Sequence, residues 1–190
     1  VAALAVSGCT SNDTALQIGP PTSPPPTVAP TSPPTTTAEF GADVALIGDL
    51  YARQQQLVSS LSGSTSGTWT PEDLKAENAF DIANTHPDLV AAYGASKIAD
   101  CTAKTAATFA ASGPADRASY FSRFIPTMST LQLTPGWTRG IPGGVNVTPG
   151  GRVYSVSLKV ELPDKTSTTS LAHVGVVDGK AYYFVGIGEC

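Results

Sequence analysis

Two histidines, His86 and His173, are the chain's whole supply of imidazole, the side chain whose protonation changes near neutral pH. His86 precedes Pro87, which suits a helix-boundary residue as well as one doing acid–base work. His173 lies beside Val174 in an apolar run, where a packed sheet residue and a general base are the alternatives. Asp49 adjoins the apolar positions of a helical stretch, near Tyr51. Inside a pocket its carboxylate would have a raised pKa and could act as a base, and on a solvated helix face it would not. Trp137-Thr138-Arg139 sets an indole two residues from a guanidinium, fit for the rim of a ligand site or for a core plug beneath a long loop. Trp137, Arg139, His173 and Asp49 are thus the candidate ligand-binding residues.

The motifs of well-known reactions are missing. The sequence holds no Ser-x-x-Lys, Gly-x-Ser-x-Gly, His-Glu-x-x-His or Cys-x-x-Cys. Gly63-Ser64-Thr65-Ser66-Gly67 has Thr where a nucleophile elbow has Ser, and it follows a helical pattern instead of a strand. Gly143-Gly144 and Gly150-Gly151 lack the Lys-Ser/Thr of a phosphate-binding loop. No spacing gathers metal ligands, so we assign no catalytic residue, metal or cofactor from sequence. Net charge is −4, with 11 Lys and Arg scattered along the chain. Nucleic acid would need a clustered basic face, so it is not an expected partner.

These residues must be positioned by helices first and strands afterwards. Phe40, Val44, Ile47, Tyr51, Val58 and Leu61 follow helical spacing, with Gly63 as a stop. Thr70-Pro71-Glu72-Asp73 predicts a helix start, with Thr70 as N-cap and Leu74, Phe80 and Ile82 facing inward. His86-Pro87-Asp88 interrupts the pattern, and one alanine-rich helix over 88–111 is expected to end at Gly113-Pro114. A short helix from Asp116 would carry Phe121, Phe124 and Ile125 on one side, with Pro126 near its end. The stretch from Pro135 to Gly151, with six glycines and three prolines, reads as a turn-rich connection. Beyond it the period falls to two: Tyr154, Val156, Leu158, Val160 and Leu162 alternate with Ser155, Ser157, Lys159 and Glu161. After Pro163-Asp164-Lys165, a strand over 170–177 meets Asp178-Gly179, a two-residue hairpin signal, and returns through 180–187. The fold class is α+β, with N-terminal helices on one face of a C-terminal antiparallel sheet.

All 14 aromatic residues lie beyond position 39, whereas 20–37 is Pro, Thr and Ser apart from Val28 and Ala29. Such a segment cannot offset its ordering entropy by burial and would serve as a polyproline-rich spacer of about 3 Å per residue. Its threonines, Thr22, Thr27, Thr31, Thr35, Thr36 and Thr37, suit O-glycosylation. Ahead of the spacer, Ala2-Ala3-Leu4-Ala5-Val6-Ser7-Gly8-Cys9 resembles the lipobox of bacterial lipoproteins, and the Pro/Thr-rich stretch resembles the tethers of actinobacterial, mycobacterial-type envelope lipoproteins. The resemblance implies that 1–8 is the end of a signal peptide, that Cys9 carries acyl chains such as palmitate, and that 9–39 tethers a single domain at 40–190. The implied place is the extracytoplasmic face of a bacterial cell membrane, with the membrane as partner through the lipid on Cys9. With Cys9 so assigned, Cys101 and Cys190 are an even pair in an oxidising compartment, and a disulfide between them is expected. It would close a loop of about ninety residues, worth about 4–5 kcal/mol on the chain-entropy account before strain. Asn146-Val147-Thr148 matches an N-glycosylation acceptor, which in a bacterial lipoprotein reads as a loop or strand edge.

The closing run Val176-Val177-Asp178-Gly179-Lys180-Ala181-Tyr182-Tyr183-Phe184-Val185-Gly186 resembles the last hairpin of small NTF2-like or cystatin-like domains. In the NTF2-like family a curved sheet and its helices enclose a conical pocket, used for catalysis by some members and for binding or assembly by others. Two functions follow as expectations. One is a non-catalytic envelope domain that binds a protein, glycan or lipidic ligand, with a prophage-encoded lipoprotein excluding competing phage as a variant. The other is a small pocket enzyme using His173, His86 or Asp49. Convergence of those groups on one cavity would favour the enzyme.

Overall fold

The computed structural model describes residues 36–66, 68–113, 117, 123–161 and 166–186. Residues 1–35, with Cys9 and most of the stretch expected to be a tether, and Cys190 lie outside them, as do Phe121, Leu162 and Ile187, whereas 37–39, also expected to be tether, open the first helix.

Among the described residues the elements run α1 (Thr37–Ser60), α2 (Gly63–Ser66), α3 (Pro71–Asn84), α4 (Pro87–Tyr93), α5 (Ala95–Ala111), β1 (Arg123–Leu133), β2 (Arg139–Ile141), β3 (Val145–Val147), β4 (Arg152–Glu161), β5 (Ser167–Val177) and β6 (Lys180–Tyr183). The α+β class read from the sequence holds. α1 begins at a capping box: the Thr36 hydroxyl accepts from the Glu39 amide at 3.2 Å, and the Glu39 carboxylate accepts from the Thr36 amide at 2.8 Å. Its inward stripe is Asp43, Ile47, Leu50, Tyr51, Gln54 and Val58. The apolar spacing found Ile47, Tyr51 and Val58, but the true stripe also carries two polar residues, and Phe40 stays exposed.

α1 ends at Ser60 with Leu61 as its cap, so Gly63 is not the stop. Gly63 opens α2 and lies so close to Trp69 that an added Cβ would come within 2.5 Å of its ring. Asp73 ties this corner together. Its carboxylate accepts from the amides of Ser62, Gly63 and Thr70 and from the Ser62 hydroxyl, at 2.7 to 3.0 Å. The Thr70 hydroxyl in turn accepts from the Asp73 amide, the predicted helix start.

The single helix expected over 88–111 is two, α4 and α5, separated at Gly94 with φ of +80°. That backbone conformation favours glycine and breaks a run that alanine content alone would continue. The short helix expected from Asp116 does not extend to Phe124, Ile125 and Pro126: Arg117 is helical, while 116 and 118–122 lie outside the described residues. Phe124, Ile125 and Pro126 belong to β1, an edge strand where a proline's missing N–H costs no central ladder bond.

The sheet order is β1-β4-β5-β6, antiparallel throughout, with β2 and β3 forming a separate hairpin inside the glycine-rich connection. β4 alternates as read, with Tyr154, Val156, Leu158 and Val160 buried. Asp178 and Gly179 both have positive φ, +50° and +71°, as the tight hairpin turn requires. α1 lies against β1, β5 and β6, and α3 against β6. The main core combines Ile47, Leu50 and Tyr51 of α1 with the apolar face of β4, β5 and β6.

Candidate functional site

A cleft of about 430 Å³ opens between α1, α3 and the sheet, within the range of small-molecule sites. Tyr51 and Gln54 reach it from the inward stripe of α1. Glu77 and Asp81, one helical turn apart, reach it from α3. Leu158, Ala172 and Tyr183 supply sheet residues, and Phe124, Leu171, Phe184 and Val185 complete the apolar lining.

Three of the four candidates read from sequence meet here. Trp137 stacks on His173, ring centres 4.5 Å apart and planes inclined by 21°, and its other neighbour is Phe184 at 4.6 Å. Arg139, on β2, lines the same cleft. Burial lowers the pKa of His173, and the nearby Arg139 charge lowers it further, so the ring is neutral at pH 7. Trp137 is half-buried, a wall of the cleft and not a core plug.

Asp49 is not in the site. Its carboxylate faces solvent and accepts from Arg53 at 2.9 Å, one turn along α1. His86 is not in the site either. It caps α4, its Nδ1 accepting from the Asp88 amide at 3.3 Å, and its own amide donates to the Tyr183 carbonyl at 2.9 Å. The ring is fully buried and stacked at 5.1 Å against Phe184. Gly175 makes room for it, since a Cβ there would come within 2.6 Å of the imidazole. Burial keeps its pKa below the ordinary histidine value. His86 is therefore a structural support behind the Phe184 wall.

Sequence reasoning missed Glu77, Asp81 and Gln54. Burial, with the like charge of Asp81 second, pushes Glu77 up to about 8, and burial pushes Asp81 up to about 6. Among the described residues neither carboxyl joins a hydrogen bond or an ion pair. The Gln54 side chain is buried, and its Oε1 has no hydrogen-bond partner among them. A signal existed in the spacing: Leu74, Glu77 and Asp81 fall at i, i+3 and i+7, which places two acids in phase with a core leucine.

The other buried acid is fully matched. Asp43, 1% exposed, accepts from Arg152 at 2.5 and 2.8 Å and from the Tyr154 hydroxyl at 2.5 Å. Burial pushes its pKa up, but the bonds from Arg152 and Tyr154 outweigh that and leave it below the ordinary carboxylate value. The contrast with Glu77 and Asp81 is one of partners, not of burial alone.

Cys101 is buried and disulfide-bonded, and its partner lies outside the described residues. Asn146 of the Asn-Val-Thr acceptor is exposed on β3. Among the described residues no group of three or more His, Cys, Asp or Glu side chains could hold a metal, and no helix is long and apolar enough to cross a membrane. No protein-family model matches the chain, and neither does any curated protein or solved structure.

Proposed function

We propose that the chain is a surface-tethered envelope lipoprotein, moored through lipid on Cys9, whose α+β domain is a non-catalytic receptor for a ligand held in the cleft. The observation that carries the receptor part is the cleft itself: aromatic and aliphatic walls from both layers of the fold, with a few polar side chains set among them. The Cys9 lipobox motif and the Pro/Thr-rich spacer support the tethered part, since a spacer of that composition would give such a receptor reach. Of the three groups whose convergence would favour an enzyme, only His173 lines the cleft.

Intrinsic fluorescence tests the receptor. Trp69 is 1% exposed in a separate core cluster, so a ligand entering the cleft should change Trp137 emission alone. Trp137→Phe should abolish the response to a panel of envelope glycans, lipids and small metabolites. A panel that leaves Trp137 unchanged at millimolar concentration contradicts the reading. Intact-mass analysis of membrane fractions tests the mooring, with diacylglyceryl on Cys9 expected and an unmodified soluble chain against it.

A second reading has one observation behind it: a carboxyl with pKa near 8 beside one near 6 is the pairing of an acid and a base. As an enzyme the domain would turn over a bound compound, and Glu77→Gln would stop turnover while leaving that compound bound.

A further inference from the structure

We infer that the cleft is a receptor site for an organic ammonium group, held by the partnerless carboxyls of Glu77 and Asp81 and by the Gln54 amide oxygen, with the aromatic walls covering its apolar body. The inference rests on the cleft being a ligand site and specifies what enters it.

Three independent features point to this chemistry. The first is the acidic pair. Residues i and i+4 of a helix present their side chains on one face, with Cβ atoms about 5–6 Å apart, so Glu77 and Asp81 offer acceptors close together, with no donor to them among the described residues. The second is Gln54, 5% exposed, on the neighbouring helix and in the same cleft, whose Oε1 lacks a donor. An ammonium has three donors and no acceptor, which matches two carboxyls and one amide oxygen. The third is the set of aromatic side chains lining the cleft, Tyr51, Phe124 and Tyr183, against which the carbon body of an organic cation can pack.

Among the described residues no cation satisfies the pair. Arg53, the nearest on α1, is bonded to Asp49 at 2.9 Å and to Asn84 at 3.2 Å. Arg139 from β2 and His173 from β5 line the cleft, but neither is among the charges acting on Glu77 or Asp81. Tyr51 from α1 and Tyr183 from β6 stay neutral, since burial raises the pKa of each above the ordinary phenol value. Holding two acids half-buried without partners works against folding, and a bound cation would remove that cost. The pair also makes binding pH-dependent: Asp81 ionises near pH 6 and Glu77 near pH 8, while an alkylammonium with a lysine-like pKa of about 10 stays charged. Affinity should therefore climb between pH 6 and 8, with a proton leaving Glu77 on binding at pH 7.

The test is a heteronuclear NMR titration of the full chain with three probes of like shape: 2-phenylethylammonium, neutral 2-phenylethanol and anionic 3-phenylpropanoate. Expected is binding of the ammonium at the Glu77, Gln54 and Trp137 signals, at least tenfold tighter than the alcohol at pH 8 and weaker at pH 6. Glu77→Gln with Asp81→Asn, which removes buried charge and so should fold, should erase that preference and its rise between pH 6 and 8. Nα-acetyl-lysine amide in place of the arylammonium tells the source: tighter binding of the lysine derivative supports a peptide side chain, and tighter binding of the arylammonium supports a free amine. Equal or tighter binding of the alcohol or the anion overturns the ammonium assignment and leaves the cleft a ligand site. Calcium ions displacing the ammonium from the pair would likewise overturn it. Signals that none of the three probes moves would overturn both.

Discussion

Burial, with the like charge of Asp81 second, pushes Glu77 up to about 8, so at neutral pH it holds a proton that an ordinary glutamate would have lost. An acid whose folded pKa is raised penalises the folded state above that pKa, and the penalty fades as pH falls toward the unfolded value. Glu77→Gln should therefore stabilise the ligand-free domain at pH 9 by about 1–2 kcal/mol, allowing for partial solvent screening. The gain should vanish at pH 4, as read by urea unfolding at both values. Asp43 has the opposite sign. Its carboxylate is matched by Arg152 and Tyr154, and removing one partner of such a buried set costs about 3–5 kcal/mol. Asp43→Ala should lower stability by that order at pH 7, where calorimetry would show the loss. Trp137 and Arg139 were legible in the sequence because an indole and a guanidinium stand two residues apart, and His173 because it is one of two histidines in the chain. Glu77 and Asp81 were not, since acids on a helix read as solvated until the helix's inward side is known. Asp49 was misassigned for the same reason: it is next to Leu50 in sequence, yet 100° of helical turn carries its side chain to solvent.

At the scale of elements, the corner joining α1, α2 and α3 hangs on Asp73 and on the close packing of Gly63 against Trp69. Burial pushes the Asp73 carboxyl up in pKa, but bonds from Thr70 and Ser62 outweigh this and hold it below its usual value. Its contribution is present above the ordinary aspartate pKa and is lost as acid protonates it. Gly63→Ala should cost about 1–3 kcal/mol by overpacking, visible as a lower melting temperature and a changed Trp69 near-ultraviolet signal. β4 was readable from strict alternation and the β5–β6 hairpin from Asp178-Gly179, because both signals are local, but β5 starts at Ser167, ahead of the expected 170, and β6 ends at Tyr183, short of the expected 187. β1 was hidden, since Phe124, Ile125 and Pro126 in sequence fit the end of a helix as well as an edge strand, and only pairing with β4 decides. The break at Gly94 was hidden too, because glycine inside an alanine-rich run is tolerated until its φ turns positive.

At the scale of the molecule, α1 and the sheet meet in the main core, and the cleft is lined by residues of α1, α3 and the sheet beside it. The fold class followed from the order of the two periodicities, but the cleft did not, since its walls come from segments more than a hundred residues apart. Cys101 lies on α5, and a bond from it to Cys190 would fix the chain end against the helical layer. Non-reducing peptide mapping should recover that pair, and free thiols at both positions would refute it. The central claim is chemical: a cation completes the cleft. The most direct measurement is a crystal structure of the domain soaked with 2-phenylethylammonium at pH 8. The ligand nitrogen should lie within hydrogen-bond reach of Glu77, Asp81 and Gln54, with its ring against Tyr51, Phe124 or Tyr183. A nitrogen bound elsewhere, or a cleft holding only water at saturating ligand, would contradict it.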